Sequence, residues 1–298
     1  MIQAMRYSEW SHTADAVHMI LQMMGKVKLK RMPPQPEWNH ALLYVTTNGF
    51  TTGLIPDGAH SFEILMNLAD STVQARCTTG RIDGFPLRGN HSIADYFAEF
   101  GKMLVSIGHP THITKAPQEV ANTTPFDEQK EAHGYDEAAA RAYFDDCVFA
   151  HNALLSFASP IRSKKIMPSL FWGTFDMTTV IFSGLPKPFP GEGCIEKVAF
   201  DEQFVEFGFW PGDPVTDEPM FFVLPYPFLQ KDLTGAPVSP KEAYYSPEKK
   251  EFFLPLRAVK DAADPVEAVR KFCEDAFRVV AKEEAWKDYE WFMTPLEC

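Results

Sequence analysis

Hydrophobic residues recur with helical spacing in four stretches of the chain and gather into short extended runs between them. The first stretch, about residues 13–24, places Val17, Ile20, Leu21 and Met24 on one stripe. Met19 and Met23 make much of the remaining surface apolar, which predicts a helix buried on most sides. The second, about residues 92–107, repeats Ile93, Tyr96, Phe97, Phe100 and Leu104 behind Ser92 and Asp95 in capping-box spacing. The third, about residues 136–157, aligns Phe144, Cys147, Val148, His151, Leu154 and Leu155. The fourth opens on Asp264-Pro265, an N-cap followed by the proline that a first helical position tolerates, with Glu267 completing the box. Its stripe is Val266, Val269, Cys273, Ala276, Phe277 and Val280.

Between the helices, residues 41–47, 61–68, 72–77, 170–175, 205–210, 220–224 and 251–256 read as strands bounded by Gly, Pro and Asp turns. Pro219, Pro225, Pro227 and Pro255 restrict several of them to short or edge positions. The pattern predicts an α+β fold, with antiparallel strands packed against about four helices. Residues 116–134 are polar, contain proline and have no period, so they predict a connector between two similar helix-strands-helix halves, 1–115 and 135–298. Residues 41–46 and 169–174 can be aligned across the halves, which fits a duplication or merely two helix-then-meander units of the same kind. The expectation is one domain over 1–298, because a helix apolar nearly all round needs cover on more than one side.

Composition narrows the function classes. The chain has 298 residues, 45% hydrophobic and 23% charged, within the globular range. Its 28 basic against 40 acidic side chains give a net charge of −12, which disfavours a phosphate-backbone ligand. Neither nucleic acid nor an anionic membrane is therefore expected as a partner. No apolar run reaches the ~20 residues of a membrane span, and the N-terminal region lacks the apolar core of a secretory signal. Five cysteines scattered singly, with no CxxC, fit a reduced, cytoplasmic protein. No phosphate-binding, dinucleotide or HExxH motif occurs, and no cofactor or metal is expected.

The candidate chemistry falls in two regions. His18, Gln22 and Gly25 share a face of the first helix, with Lys26 where that helix is expected to end. A polar row among Val, Ile, Leu and Met needs partners. It fits either hydrogen-bonded core residues or a site in which a partly buried ammonium holds an anion. In the second half, Phe171-Trp172-Gly173-Thr174-Phe175-Asp176 sets a carboxylate among aromatics, and Gly208-Phe209-Trp210-Pro211-Gly212 presents an indole on a stiff turn. These tracts describe a small-molecule pocket or an aromatic core cluster equally well. His109 and His112 form an i, i+3 pair that could hold a metal, but Pro110 prevents a regular helix there and an exposed loop is the leading reading; Asp57, His60 and Glu63 read as surface residues ahead of ligands.

Trp10-Ser11-His12-Thr13, the His18, Gln22, Gly25-Lys26 and Leu29 series, Leu43-Tyr44-Val45-Thr46, Thr51-Thr52 and Phe62-Glu63-Ile64 resemble the opening of the domain-of-unknown-function family 5996. The two tryptophan tracts and Phe182-Ser183-Gly184 are similar to its later signature. Ile181 stands where an arginine is expected and Ser71-Thr72 where a histidine is. The resemblance implies a single unit of this length and supplies no activity.

The expected function is a small-molecule metabolic enzyme using general acid/base chemistry in an aromatic-lined cleft between the halves. His18, Lys26 and Asp176 are its catalytic candidates, while Gln22, Trp172, Phe175 and Trp210 contact a small polar or anionic substrate. A non-catalytic binding protein is the alternative, and a structural or partner-binding protein the third reading.

Overall fold

The four helical periodicities become the four long helices of the protein. In the computed structural model, which describes residues 1–296, these are α1 (Tyr7–Arg31), α2 (Ile93–Ser106), α3 (Glu137–Ala158) and, after the short α4 (Cys194–Ala199) and α5 (Leu256–Lys260), α6 (Pro265–Glu283). A final turn, α7, covers Tyr289–Phe292. Ser92 and Asp95 form both bonds of the expected capping box. At α6, Asp264 caps the amide of Glu267, but the Glu267 carboxylate turns to Arg270 and the box is only half made.

The strands are β1 (Tyr44–Val45), β2 (Gly49–Thr51), β3 (Ile55–Asp57), β4 (His60–Asn67), β5 (Thr72–Cys77), β6 (Ile82–Pro86), β7 (Lys165–Phe171), β8 (Asp176–Pro186), β9 (Glu202–Trp210), β10 (Met220–Tyr226), β11 (Tyr244–Ser246) and β12 (Glu251–Pro255). They make two sheets: β1-β2-β4-β5-β6 with β3 also on β4, and β11-β12-β10-β9-β8-β7. With antiparallel sheets and packed helices, the fold is α+β.

The chain separates into two compact units. The first is Tyr7–Asp145 with Leu170–Phe175, and the second is Met1–Arg6, Asp146–Ser169 and the chain from Asp176 onward. They are not the stretches 1–115 and 135–298, because the polar residues 116–134 are built into the first unit. There Ala94 N–H donates to the Gln129 carbonyl, Ser92 bridges Ala132, and Phe126 is wholly buried.

In the first unit, α2 lies against β5 and β6. Strand alternation turns Phe62, Ile64 and Met66 of β4, with Val73, Ala75 and Cys77 of β5, into buried positions. Helix α1 is buried around most of its circumference, including Val17, Ile20, Leu21, Met23 and Met24, as the sequence predicts. In the second unit, α6 sets Val269, Phe272, Cys273, Ala276, Phe277 and Val280 inward and packs against β9 and β10. Among the described residues, no helix is long and apolar enough to cross a membrane.

Two local expectations need correction, and one strand is absent from them. Residues 170–175 are not one strand: β7 ends at Phe171, and Trp172–Phe175 form a turn closed by the Phe175 amide on the Phe171 carbonyl, with Phe175 at φ +64°. Residues 41–47 supply only the two-residue β1, since residues 36–41 coil into a 3-10 turn after Pro33-Pro34. Strand β8, the longest, escapes notice in the periodicity because it is buried on both faces over 176–182 and shows no alternation.

Candidate functional site

The polar row of α1 is assembled as the helical spacing requires, with its partners supplied by distant segments of the same unit. Helix α1 runs past Lys26 to Arg31, because Lys28, Leu29, Lys30 and Arg31 are good helix formers and the basic last turn suits the helix dipole. Lys26 therefore lies inside the helix rather than at its end. His18 Nε2 sits 2.8 Å from the Trp172 carbonyl and 3.1 Å from that of Gly173, an arrangement that fixes the Nε2–H tautomer. Its ring stacks on Phe175 with centroids 4.5 Å apart. Burial, opposed by those two carbonyl bonds, lowers the His18 pKa to about 4, so the imidazole is neutral at pH 7. Gln22 pairs with the backbone of Gln118 through both amide atoms, each bond 2.8 Å.

Gly25 completes the row by being absent as a side chain. A Cβ there would stand 2.2 Å from the Trp172 indole, so the ring rests directly on the α1 backbone. Trp172 Nε1–H reaches the Ala41 carbonyl at 2.9 Å. Beside the indole, Lys26 Nζ donates to Thr114 Oγ1 at 3.1 Å and Gln118 Oε1 at 3.0 Å, with the Trp172 and Phe126 rings 5.6 and 6.0 Å away. Lys26 is 3% exposed, and none of these partners carries negative charge. Burial lowers its pKa to about 8.

Asp176 and Trp210 belong to the second unit, on one face of its sheet. Met177 pairs with Phe209, so Asp176 and Trp210 stand side by side, and Met220, Phe222 and Phe253 continue that face as a buried apolar cluster packed by Trp210 and Leu224. Gly208 leaves room for the Phe222 ring to lie across β9 against Thr178. The Thr178 hydroxyl is buried there without a hydrogen-bond partner. Glu251, at the start of β12, is the residue sequence reasoning missed. Burial pushes its carboxyl up to about 7, the charge of Lys249 opposes this, and that of Asp176 adds to it. Lys249 Nζ lies 5.8 Å from the Trp210 ring. A glutamate opening an otherwise apolar run, Phe252-Phe253-Leu254, is the only sequence signal that pointed here.

The protein is thus an α+β chain carrying a buried lysine in an aromatic and amide setting in one unit and a carboxylate pair beside aromatics in the other. It belongs to DUF5996, a family of unknown function whose model matches residues 2–291. No curated protein and no solved structure matches it.

Proposed function

We propose that the protein binds a small polar or anionic molecule, with Lys26 meeting the ligand's negative charge. One observation carries this reading: a lysine 3% exposed whose contacts are a hydroxyl, an amide oxygen and two aromatic faces, all neutral. Burying an ammonium without a counter-charge is costly, and a ligand carboxylate or phosphate would offset that cost. Thr114 and Gln118 lie in an irregular segment, so an anion can take the place of their oxygens without breaking a helix or strand. Gln22 anchors that segment, Trp172 and Phe175 supply the apolar wall, and His18 holds the Trp172 carbonyl in place. The net charge of −12 supports a small ligand over nucleic acid. The free thiols of Cys77, Cys194 and Cys273 support a reducing, cytoplasmic setting.

The test is a thermal-shift panel of small carboxylates and phosphates on the wild type and on Lys26→Met. A true ligand at 100 times its Kd adds about 2.7 kcal/mol to the wild type, and the variant should not respond. A panel that leaves the wild type unmoved, or shifts both proteins alike, refutes the reading.

Acid/base catalysis is the second reading, favoured by the Asp176 and Glu251 carboxylates. A carboxyl that burial and a neighbouring carboxylate raise to about 7 is poised for proton transfer near neutral pH. A group whose pKa is raised on folding contributes stability that is full below its unfolded value of 4.5 and lost as pH rises through about 7. Glu251→Gln should accordingly stabilise the protein at pH 8, by up to about 3 kcal/mol before allowance for partial exposure, and leave it unchanged at pH 4. Urea titrations at the two pH values check this, and equal effects at both would remove Glu251 from the reading.

A further inference from the structure

Apart from these two places, the first unit gathers a cysteine, a histidine and an aspartate that lie far apart in the chain. Strand register does the placing. Ile55 pairs with Phe62 and Asp57 with His60 between β3 and β4, and Phe62 pairs with Cys77 between β4 and β5. Directly paired residues, and residues two apart on a strand, share a face. Asp57, Phe62 and Cys77 therefore project to the same side. His109 enters from the turn after α2, where Gly108 takes φ +88°, and its ring stacks on Phe62 with centroids 4.8 Å apart and planes 17° apart.

The resulting contacts run in series. His109 Nδ1 meets Asp57 Oδ2 at 2.8 Å, and Asp57 Oδ1 accepts from Arg31 Nη1 at 3.0 Å. Arg31 is held in turn by Thr111 Oγ1 at 3.1 Å and the Pro110 carbonyl at 2.6 Å. With Nδ1 committed to Asp57, Nε2 is the nitrogen left to act as a base, and stacking on Phe62, the strand partner of Cys77, sets the imidazole on the face that carries the sulfur. The sulfur also lies 2.8 Å from Thr79 Oγ1 and 3.6 Å from the Ile107 carbonyl. His109 is thus no exposed loop residue, and Asp57 is no idle surface carboxylate. Cys77 and His109 are 8% and 6% exposed, yet Thr78 to Arg81 are all exposed, so the sulfur is one residue from the surface.

We propose that Cys77, His109 and Asp57 form a nucleophilic thiol site that accepts the acyl group of a small, negatively charged ester or thioester. The Thr79 hydroxyl, against some burial, and then the Thr79 and Arg81 amides and His109 bring the thiol down to about 7, where thiolate is available near neutral pH. Arg81 places its guanidinium against Gly108, 2.7 Å from where a Cβ would stand, and supplies the cation that a substrate carboxylate or phosphate would meet.

In the reaction, the Sγ proton passes to His109 Nε2 as sulfur bonds to the carbonyl carbon and the π pair moves to oxygen. Collapse of that adduct breaks the bond to the leaving alkoxide or thiolate, which takes the proton from His109. Water, deprotonated by His109, then cleaves the acyl-cysteine, restoring the thiol and releasing a carboxylic acid. Asp57 is a positioning residue that orients the ring and stabilises its cation.

The experiment treats the full chain with iodoacetamide and, separately, with p-nitrophenyl acetate, and locates adducts by peptide mass spectrometry. Cys77 should alkylate at least about tenfold faster than Cys194, the exposed free cysteine, and should carry acetyl during p-nitrophenol release. His109→Asn should slow both by about tenfold or more, and Cys77→Ser should abolish acetylation. Asp57→Asn should move the pH profile of alkylation upward, the charged groups around the sulfur being Asp57, His60, His109, Arg31 and Arg81. Alkylation of Cys77 no faster than Cys194, alkylation without acetyl transfer, or an unchanged rate in a folded His109→Asn variant each overturns the proposal. Because the comparison with Cys194 uses the wild type, it decides the matter even if a variant fails to fold.

Discussion

Gly25→Ala is expected to destabilise the protein by about 3 kcal/mol, the reverse of what the same change does in an ordinary helix. Within an exposed helix, alanine is favoured over glycine by roughly 0.5–1 kcal/mol, because the folded chain loses less backbone freedom. At Gly25, however, the new methyl would lie 2.2 Å from the Trp172 indole. The ring cannot yield cheaply, since its Nε1–H is bonded to the Ala41 carbonyl inside the protein. Overpacking costs roughly 1–3 kcal/mol and a buried orphaned donor a further 1–3 kcal/mol, so the sum exceeds the helical gain. Gly101→Ala is the internal control. It lies in α2, is exposed, and has nothing within 4 Å of its would-be Cβ. Denaturant titrations should show Gly25→Ala destabilised and Gly101→Ala slightly stabilised; two stabilised variants would mean that Trp172 does not rest on α1.

Lys26→Met is expected to stabilise the ligand-free protein at pH 7 by about 2 kcal/mol. Folding lowers the Lys26 pKa from 10.5 to about 8. A group depressed in this way contributes stability that is present above its unfolded pKa and lost as pH falls through the folded value. At pH 7 the whole cost of burying the ammonium is therefore in force, and methionine removes it while keeping the length and apolar stem of the side chain. The variant leaves Thr114 and Gln118 without a donor, but neither residue is buried, so water can replace it. Above pH 8 the gain should shrink, because the wild type sheds the same proton on folding. Lys28, also buried and lowered to about 8, titrates alike in both proteins and cancels in the difference. Destabilisation at pH 7 would instead make Lys26 a structural donor, and the binding proposal would lose its reason. Stabilisation together with loss of ligand response would mark a residue kept at the expense of stability, as binding sites often are.

Much of the secondary structure was legible because it obeys local rules. Helical periodicity located α1, α2, α3 and α6, and the Ser92-to-Asp95 spacing anticipated both capping bonds. Alternation identified β4 and β5 to within a residue at each end. In α1, the polar His18, Gln22 and Lys26 stood out against an apolar helix, since such groups cannot be buried without partners. Glu251 was not legible in that way, because what raises its pKa is burial together with the nearby charge of Asp176, contributed by another strand.

By itself, then, the sequence determined the long helices, several strand positions, the α+β class and the residues of α1 that demand partners, for these depend on patterns spanning a few turns of chain. Only the tertiary structure decided who the partners are. His18 needs an acceptor, and any distant carbonyl would serve; folding selected Trp172 and Gly173. Gln118 answers Gln22 for the same reason, and Asp176 and Trp210 are neighbours through pairing of β8 with β9. The join of Asp57 to His109 beside Cys77 depends on the register of β3, β4 and β5, where a one-residue slip would turn Cys77 to the opposite face. Register and long-range pairing are settled by packing over the whole unit, which no local window of residues contains.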